Sequence, residues 1–128
     1  ATWGVQLAAT TSTGCVLGAD RFETFQEKGK ASHIARQICG QLLKIYQSGA
    51  CVDHYTADQL ILYMALSEDS SAIKISRDAL RESKHLKTCI NVAQQFIPHC
   101  KFVFEDCEDQ PNCLVVKCHR TKQLDRSG

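Results

Sequence analysis

The stretch TADQLILYMAL, residues 56–66, decides how the chain is expected to fold. Its first four residues, from Thr56 to Gln59, match the capping-box pattern, in which two side chains satisfy free backbone groups at a helix start. The residues that follow are almost all apolar, so the predicted helix has little polar surface to turn towards water. We therefore expect this helix to be buried against a sheet and the preceding helix.

The segments before this helix are predicted from alternation and from helical spacing. Apolar residues alternate over residues 5–9, and CVLGA, residues 15–19, follows a turn rich in Thr, so both segments are predicted to be strands. The charged residues 20–30 are predicted to form a loop. Apolar residues then recur at helical spacing over residues 32–47, and Gly49 is a suitable C-terminal cap.

The segments after the apolar helix complete the pattern. AIKIS, residues 72–76, alternates like a strand, whereas residues 77–83 form a connection of undecided structure. A third helix is predicted to begin near His85 and to end before Pro98. Its apolar face comprises Leu86, Cys89, Ile90, Ala93, Phe96 and Ile97. Residues 101–107 and 113–118 are predicted to pair as a hairpin across a turn-rich segment.

This order of elements predicts the α+β class: a mostly antiparallel sheet with helices packed on one face. At 128 residues, the chain is expected to form a single module over residues 1–128, with a frayed tail over residues 121–128. Because the chain starts with Ala rather than Met, we expect it to be processed or cut from a longer protein.

Composition excludes few classes of function. The formal net charge is +1, so overall charge gives no sign of a nucleic-acid partner. No apolar run reaches membrane-spanning length, and the N-terminal segment does not resemble a signal peptide, so no membrane partner is expected. The expected location is intracellular, nuclear or cytoplasmic.

The 8 cysteines allow more than one interpretation. An even number would suit a disulfide framework in a secreted chain, but reduced thiols in the cytosol or nucleus fit better without a signal peptide. Possible metal ligands gather towards the C-terminus: His99, Cys100, Cys107, Cys113, Cys118 and His119. None of these cysteines forms the C-x2-C spacing typical of structural zinc, so no metal site is predicted from them.

His85 is the chemically most interesting side chain, because it stands at a predicted helix start. The free N–H groups of a helix start disfavour a protonated imidazole and attract phosphate. A neutral histidine there is well placed to attack a phosphorus atom. The alternative interpretation is a solvated histidine without a role.

Three segments resemble the C-terminal region of the RNA 3′-terminal phosphate cyclases. They are FQEKGKASHIARQICGQLL (residues 25–43), SGACVDHYTADQLILYMAL (residues 48–66) and HLKTCINVAQQFIP (residues 85–98). The second is the most specific, because it keeps the family pattern Val-Asp-x-Tyr-x-x-Asp-Gln-Leu from Val52 to Leu60. With the strands between them, the resemblance extends over about residues 4–119, so the fold is expected to be a cyclase-like β-α repeat module.

The resemblance implies conversion of an RNA 3′-phosphate to a 2′,3′-cyclic phosphate at the expense of ATP, through a histidine–AMP intermediate. By position, His85 matches the catalytic nucleophile, Asp58 and Gln59 match residues beside the nucleotide, and Tyr55 matches an aromatic side chain against the adenine. Family members are much longer, so this chain resembles the C-terminal part of a cyclase and is expected to be inactive alone. The implied partners are ATP, RNA with a 3′-phosphate end and the N-terminal remainder, which would hold most ligands of a divalent Mg or Mn ion.

Several alternatives stay open at this point. Gln59 suits a capping box with Thr56, Asp58 is favourable in any first helical turn, and Tyr55 suits a hydrophobic staple. The Lys residues 28 and 30 fit RNA contacts or plain solvation. RESK, residues 81–84, is an insertion beside His85 relative to the family pattern. A non-catalytic cyclase-like protein that binds RNA or assists ribosome assembly is the alternative function.

Overall fold

The computed structural model describes residues 2–24, 31–82 and 84–121. Its elements, in chain order, are β1 (Thr2–Thr10), β2 (Val16–Thr24), α1 (Ala31–Ser48), α2 (His54–Leu66), β3 (Ser71–Ser76), α3 (Arg77–Glu82), α4 (His85–Phe96), β4 (Cys100–Asp106) and β5 (Cys113–Arg120). The undecided connection over residues 77–83 thus contains the short helix α3. None of the helices in the described part of the chain combines the length and apolar character that a membrane crossing requires.

The strands form two antiparallel sheets. β1 and β2 make a two-stranded ribbon, and the other sheet has the strand order β3-β5-β4. The α+β prediction is confirmed, and so is the predicted β4–β5 hairpin, in which Phe102 faces Cys118. The strands nevertheless divide between two sheets, a division that alternation within single strands could not reveal.

The first ribbon is longer than the sequence suggested. The prediction of a loop from residue 20 was wrong for residues 20–24, because β2 continues to Thr24 and pairs with β1 to the end. The charges that suggested a loop are accommodated in the strand, where Arg21 forms an ion pair with the buried carboxylate of Glu23. The rest of the predicted loop, including Lys28 and Lys30, lies outside the described residues, as does the tail from residue 122.

Two separate clusters form the core. The smaller one joins α1 to the ribbon through Ala19, Ile34 and Ile38. The larger one joins α2, α4 and the three-stranded sheet, and its most buried members include Ile61, Ala65, Ile75, Leu86 and Val116. The expectation that α2 packs between a sheet and the preceding helix is therefore corrected, because within the large cluster its helical neighbour is α4.

Two predicted faces differ from the expected core. α2 is not buried all round, since Leu62, Tyr63 and Leu66 are exposed on its outer side. On α4, Leu86, Ile90 and Ala93 are buried as predicted, but Phe96 is 81% exposed. Helical spacing identified the buried stripe, whereas the outer apolar residues have no covering element among the described residues.

Candidate active site

An open cleft of about 1250 Å³ lies where the two clusters meet. One side is formed by β1, β2 and α1. The other side is formed by the starts of α2, α3 and α4. Its lining residues include Gln6, Gly18, Asp20, Phe22, Gln41, Lys44, Asp53, His54, Tyr55, Thr56, Asp58, Gln59, Ser76, Asp78, Lys84 and His85.

The structure brings all four predicted site residues to this cleft. Tyr55, Asp58 and Gln59 lie in the first turns of α2, and His85 is the first residue of α4. The inserted RESK stretch leaves His85 at a helix start. Its first two residues complete α3, and its last residue, Lys84, is the N-cap of α4. Residue 83 itself is not described.

The start of α2 differs from the predicted capping box. Asp53 is the N-cap, and its carboxylate accepts hydrogen bonds from the Thr56 backbone N–H and hydroxyl, both at 2.9 Å. The prediction of Thr56 as the N-cap was wrong. Asp is as favourable an N-cap residue as Thr, and a cap three residues earlier lengthens the helix by almost one turn. Gln59 therefore does not complete a capping box. Tyr55 lies inside the first turn rather than at a staple position.

With Asp53 as the N-cap, the side chains of Tyr55 and Gln59 are not needed to cap α2. The Tyr55 side chain is 61% exposed, and its ring lies 3.9 Å, centroid to centroid, from the ring of His54. The Gln59 side chain is exposed at the cleft. Both side chains can therefore meet a ligand without breaking a contact that the helix needs.

Asp58 is the electrostatic centre of the cleft. Burial raises the pKa of its carboxyl above the ordinary value of 3.8, while the positive charge of His85, and then that of His54, lowers it part of the way back. Both imidazoles are therefore near enough to act on the carboxyl group electrostatically. A half-buried carboxylate near a histidine can stabilise the protonated form of the imidazole.

Sequence reasoning gave no role to His54 or Lys44, and it included Asp53 only as a member of the family pattern. His54 precedes Asp58 by four residues, a spacing that places both on one face of a helix, and this signal could have identified it. Lys44 lines the cleft from α1, and its ammonium group lies 3.9 Å from the Asp78 carboxylate of α3. No local pattern marks Lys44, because its position depends on how α1 packs.

The start of α4 offers backbone donors to the cleft. Its N-cap, Lys84, makes no side-chain cap, and the first backbone bond of the helix runs from the Thr88 N–H to the Lys84 carbonyl at 3.0 Å. The N–H groups that precede Thr88 carry partial positive charge, which favours an anion such as phosphate. Over the described ranges, no group of three or more His, Cys, Asp and Glu side chains is arranged to hold a metal ion.

Comparison with known proteins shows which protein family this chain resembles. Residues 5–103 match the model of the RNA 3′-terminal phosphate cyclase family. The chain is 34% identical over 96 residues to an RNA 3′-terminal phosphate cyclase of Pyrobaculum neutrophilum, covering 74% of this chain and 26% of the relative. It is 35% identical over 95 residues to the Pyrobaculum aerophilum cyclase, covering 73% and 25%.

A eukaryotic relative shows the same degree of similarity. A probable RNA 3′-terminal phosphate cyclase of Dictyostelium discoideum is 34% identical over 88 residues, covering 69% of this chain and 19% of the relative. The chain thus spans about a quarter or less of the length of the curated relatives that it matches.

The environment of Asp58 predicts a pH titration that can be measured directly. By carboxyl ¹³C NMR, the midpoint of Asp58 is expected above 3.8, and His85→Ala is expected to raise it further, because a cation that stabilises the carboxylate is removed. His99→Ala, which changes a histidine outside the cleft, should leave the midpoint unchanged. An Asp58 midpoint that is the same with and without His85 would contradict an electrostatic interaction between the two side chains.

The same shift has a consequence for stability. A carboxyl whose pKa is raised in the folded state binds its proton more tightly there, so its favourable contribution is present at low pH and is lost as pH rises through that pKa. Asp58→Asn is therefore expected to increase the free energy of unfolding at pH 7 and to change it little at pH 3. Urea unfolding at the two pH values measures the difference. Equal destabilisation at both would contradict a raised pKa.

Proposed function

Because this chain belongs to the RNA 3′-terminal phosphate cyclase family, we propose that it serves as the C-terminal part of an ATP-dependent enzyme that cyclises RNA 3′-phosphate ends. The observation that carries the proposal is the meeting of two helix starts at one cleft, with His85 of α4 beside Asp58 of α2. A histidine, a carboxylate and the partial positive charge of a helix start together suit nucleophilic attack on phosphorus.

The proposed chemistry starts at His85. One imidazole nitrogen attacks the α-phosphorus of ATP, a nitrogen–phosphorus bond forms, and pyrophosphate leaves. The AMP group then passes from His85 to the RNA 3′-phosphate. The adjacent 2′-hydroxyl attacks that phosphate, AMP leaves, and the 2′,3′-cyclic phosphate remains. The N–H groups at the start of α4 would stabilise the negative charge that builds up on the phosphate oxygens.

Asp58, Gln59 and Tyr55 are proposed to contact the nucleotide. The exposed ring of Tyr55 is available to stack on adenine, and the Gln59 amide can both donate and accept hydrogen bonds. Asp58 is proposed in addition to stabilise the protonated form of His85, whose positive charge lowers the pKa of the Asp58 carboxyl after burial has raised it. A cleft of about 1250 Å³ has room for a nucleotide and the end of an RNA strand.

A divalent metal, Mg or Mn, would neutralise the charge of the ATP phosphates. Among the described residues, no group of three or more His, Cys, Asp and Glu side chains could hold such an ion. We propose that its ligands belong mostly to the N-terminal remainder of a longer cyclase, and that the 128-residue chain alone does not cyclise RNA.

The first test of the function is covalent labelling. The longer cyclase that contains this chain, incubated with ATP labelled in the α-phosphate, is expected to retain AMP that is stable to alkali and labile to acid. In His85→Ala the retained label should fall to background, because the nucleophile is gone. His99→Ala, outside the cleft, should label like the unchanged protein.

Two outcomes would contradict the assignment of His85. Labelling that persists in His85→Ala would show that another residue is the nucleophile. An unchanged protein that binds RNA 3′-phosphate ends but never retains AMP would favour the non-catalytic RNA-binding alternative.

The second test concerns adenine binding. Tyr55→Ala is expected to raise the KM for ATP about 5- to 20-fold, which corresponds to losing about 1 to 2 kcal/mol of aromatic stacking. Tyr46→Ala provides the matched control, because Tyr46 is a similarly exposed tyrosine that does not line the cleft. A KM for ATP that stays unchanged in Tyr55→Ala would remove Tyr55 from the nucleotide site.

The exposed apolar residues of α2 and α4 suggest where the N-terminal remainder binds. We call Leu62, Tyr63, Leu66, Val92 and Phe96 the outer apolar face. A groove of about 360 Å³ runs between the two helices beside it. Apolar residues gathered in this way typically mark an interface. Since the curated relatives are about four times longer than the matched region, we propose that the remainder of the cyclase covers this face.

Phe96 tests this proposal, because it is exposed in the present chain. Phe96→Ala should change the free energy of unfolding of the 128-residue chain by no more than about 0.5 kcal/mol. In the longer cyclase it should destabilise by about 2 to 4 kcal/mol, because a buried ring is lost. Leu43→Ala, at an exposed residue of α1, should be nearly neutral in both proteins. Equal effects of Phe96→Ala in the two proteins would exclude this face as the interface.

A further inference from the structure

The β4–β5 hairpin carries four of the eight cysteines, all of which are free thiols. They form two neighbouring pairs. After burial, the nearby Cys107 thiol contributes to the raised pKa of Cys113 at the turn, and the nearby Cys100 thiol contributes to the raised pKa of Cys118 nearer the open end. The two pairs differ in geometry and in access to reagents.

Strand register separates the two pairs. The ladder ends with Asp106 opposite Leu114, and extending the same register by one residue places Cys107 opposite Cys113. Facing residues of antiparallel strands have Cα atoms about 4.5 to 5.5 Å apart, which is within the range that a disulfide bridges.

Cys100, by contrast, faces Arg120, and Cys118 faces Phe102. Cys100 and Cys118 are therefore diagonal neighbours, with Cα atoms about 7 to 8 Å apart, a distance too long for a disulfide without backbone movement. Both of these cysteines are also buried.

Access to solvent distinguishes the two thiols at the turn. Cys107 is half-buried, so a small oxidant can reach it, whereas Cys113 is fully buried. Burial, with the hydrogen bond from Cys107 next in importance, raises the pKa of Cys113 to about 11. Cys113 is thus protected from direct oxidation but lies near the sulfur that would be oxidised first.

We propose that Cys107 and Cys113 form an oxidisable dithiol that closes to a disulfide in the presence of a peroxide. The Cys107 sulfur attacks one peroxide oxygen, which gives a sulfenic acid and one molecule of water. The Cys113 sulfur then attacks the Cys107 sulfur, the sulfenic hydroxyl leaves as a second water, and the sulfur–sulfur bond forms. Two thiols are oxidised and one peroxide is reduced, so atoms and electrons balance. The inference does not depend on the proposed function.

Cys51 is the competing partner for Cys113, since its thiol lies near enough to affect Cys113 electrostatically. However, the Cys51 sulfur is already engaged with β3. It donates to the Lys74 carbonyl at 3.3 Å and accepts from the Lys74 N–H at 3.2 Å. Pairing with Cys107 breaks neither of these bonds.

The turn between the two cysteines is held by groups that lead to the cleft. Arg77, the first residue of α3, donates to the Pro111 carbonyl at 2.9 Å and to the Asp106 carboxylate at 2.7 Å. On the other side, the Cys113 thiol donates to the Gly49 carbonyl at 3.7 Å. Gly49 precedes Asp53, the cap of α2, so closing the disulfide withdraws a bond from the segment that enters the cleft.

Peptide mapping tests the dithiol directly. Trypsin cleaves after Lys101 and Lys117, so peptide 102–117 contains both Cys107 and Cys113 and no other cysteine. The dilute 128-residue chain is treated with hydrogen peroxide, alkylated under denaturing conditions, digested without reduction and analysed by mass spectrometry. Peptide 102–117 is expected to lose two hydrogens and take up no alkyl group, at least about tenfold faster than any disulfide joins peptide 88–101 to peptide 118–120.

Two serine variants provide the controls. In Cys107→Ser, Cys113 should remain reduced and be alkylated fully, while circular dichroism checks that this half-buried substitution leaves the fold intact. In Cys100→Ser, peptide 102–117 should still close. The proposal is overturned if peptide 102–117 takes up two alkyl groups after a peroxide dose that oxidises the exposed Cys39. It is also overturned if Cys107 accumulates as sulfinic acid, or if Cys113 links to Cys51 instead.

Discussion

The packing of α2 beside α4 over the three-stranded sheet is the constraint on which the site depends. One buried cluster contains Ile61 and Ala65 of α2 together with Leu86 and Ile90 of α4. The three-stranded sheet contributes Val116 to the same cluster. Both helices begin at the same cleft, so their starts lie side by side with partial positive charge at each. Hydrophobic burial, which has no chemical role itself, therefore sets the position of every proposed catalytic group.

Local signals in the sequence were sufficient for the parts of the fold that short segments determine. The stripe of Leu86, Ile90 and Ala93 fixed the face of α4, and Gly49 adopts the positive φ of 78° that a helix C-cap requires. The four candidate site residues were assigned from the family resemblance, and only His85 also had a local argument, its place at a predicted helix start. Their nearness to one another came from the family resemblance, since no local pattern relates Asp58 to His85.

The predictions that failed involved competition or pairing at a distance. Asp53 and Thr56 were both good caps, and the earlier one is used because the longer helix gains another turn of backbone hydrogen bonds. The charged residues after residue 20 belong to β2. Backbone pairing with β1 and the ion pair between Arg21 and Glu23 offset the cost of placing these charges in a strand. Phe96 is exposed for a different reason: helical spacing gives the face of a side chain but does not show whether anything covers it.

Three unfavourable features of the described residues lie together at the cleft. Asp58 has a carboxyl whose burial disfavours its charge, α4 begins without a side-chain cap, and Tyr55 exposes a large ring. Each lowers the stability of the folded chain or leaves it unimproved, and a sequence selected for stability alone would have removed them. Their gathering around one cleft is expected where the interaction partner is a ligand: phosphate suits the partial positive charge at the start of α4, and a base covers the exposed ring. Binding would thus add contacts at the cleft that the fold alone does not provide.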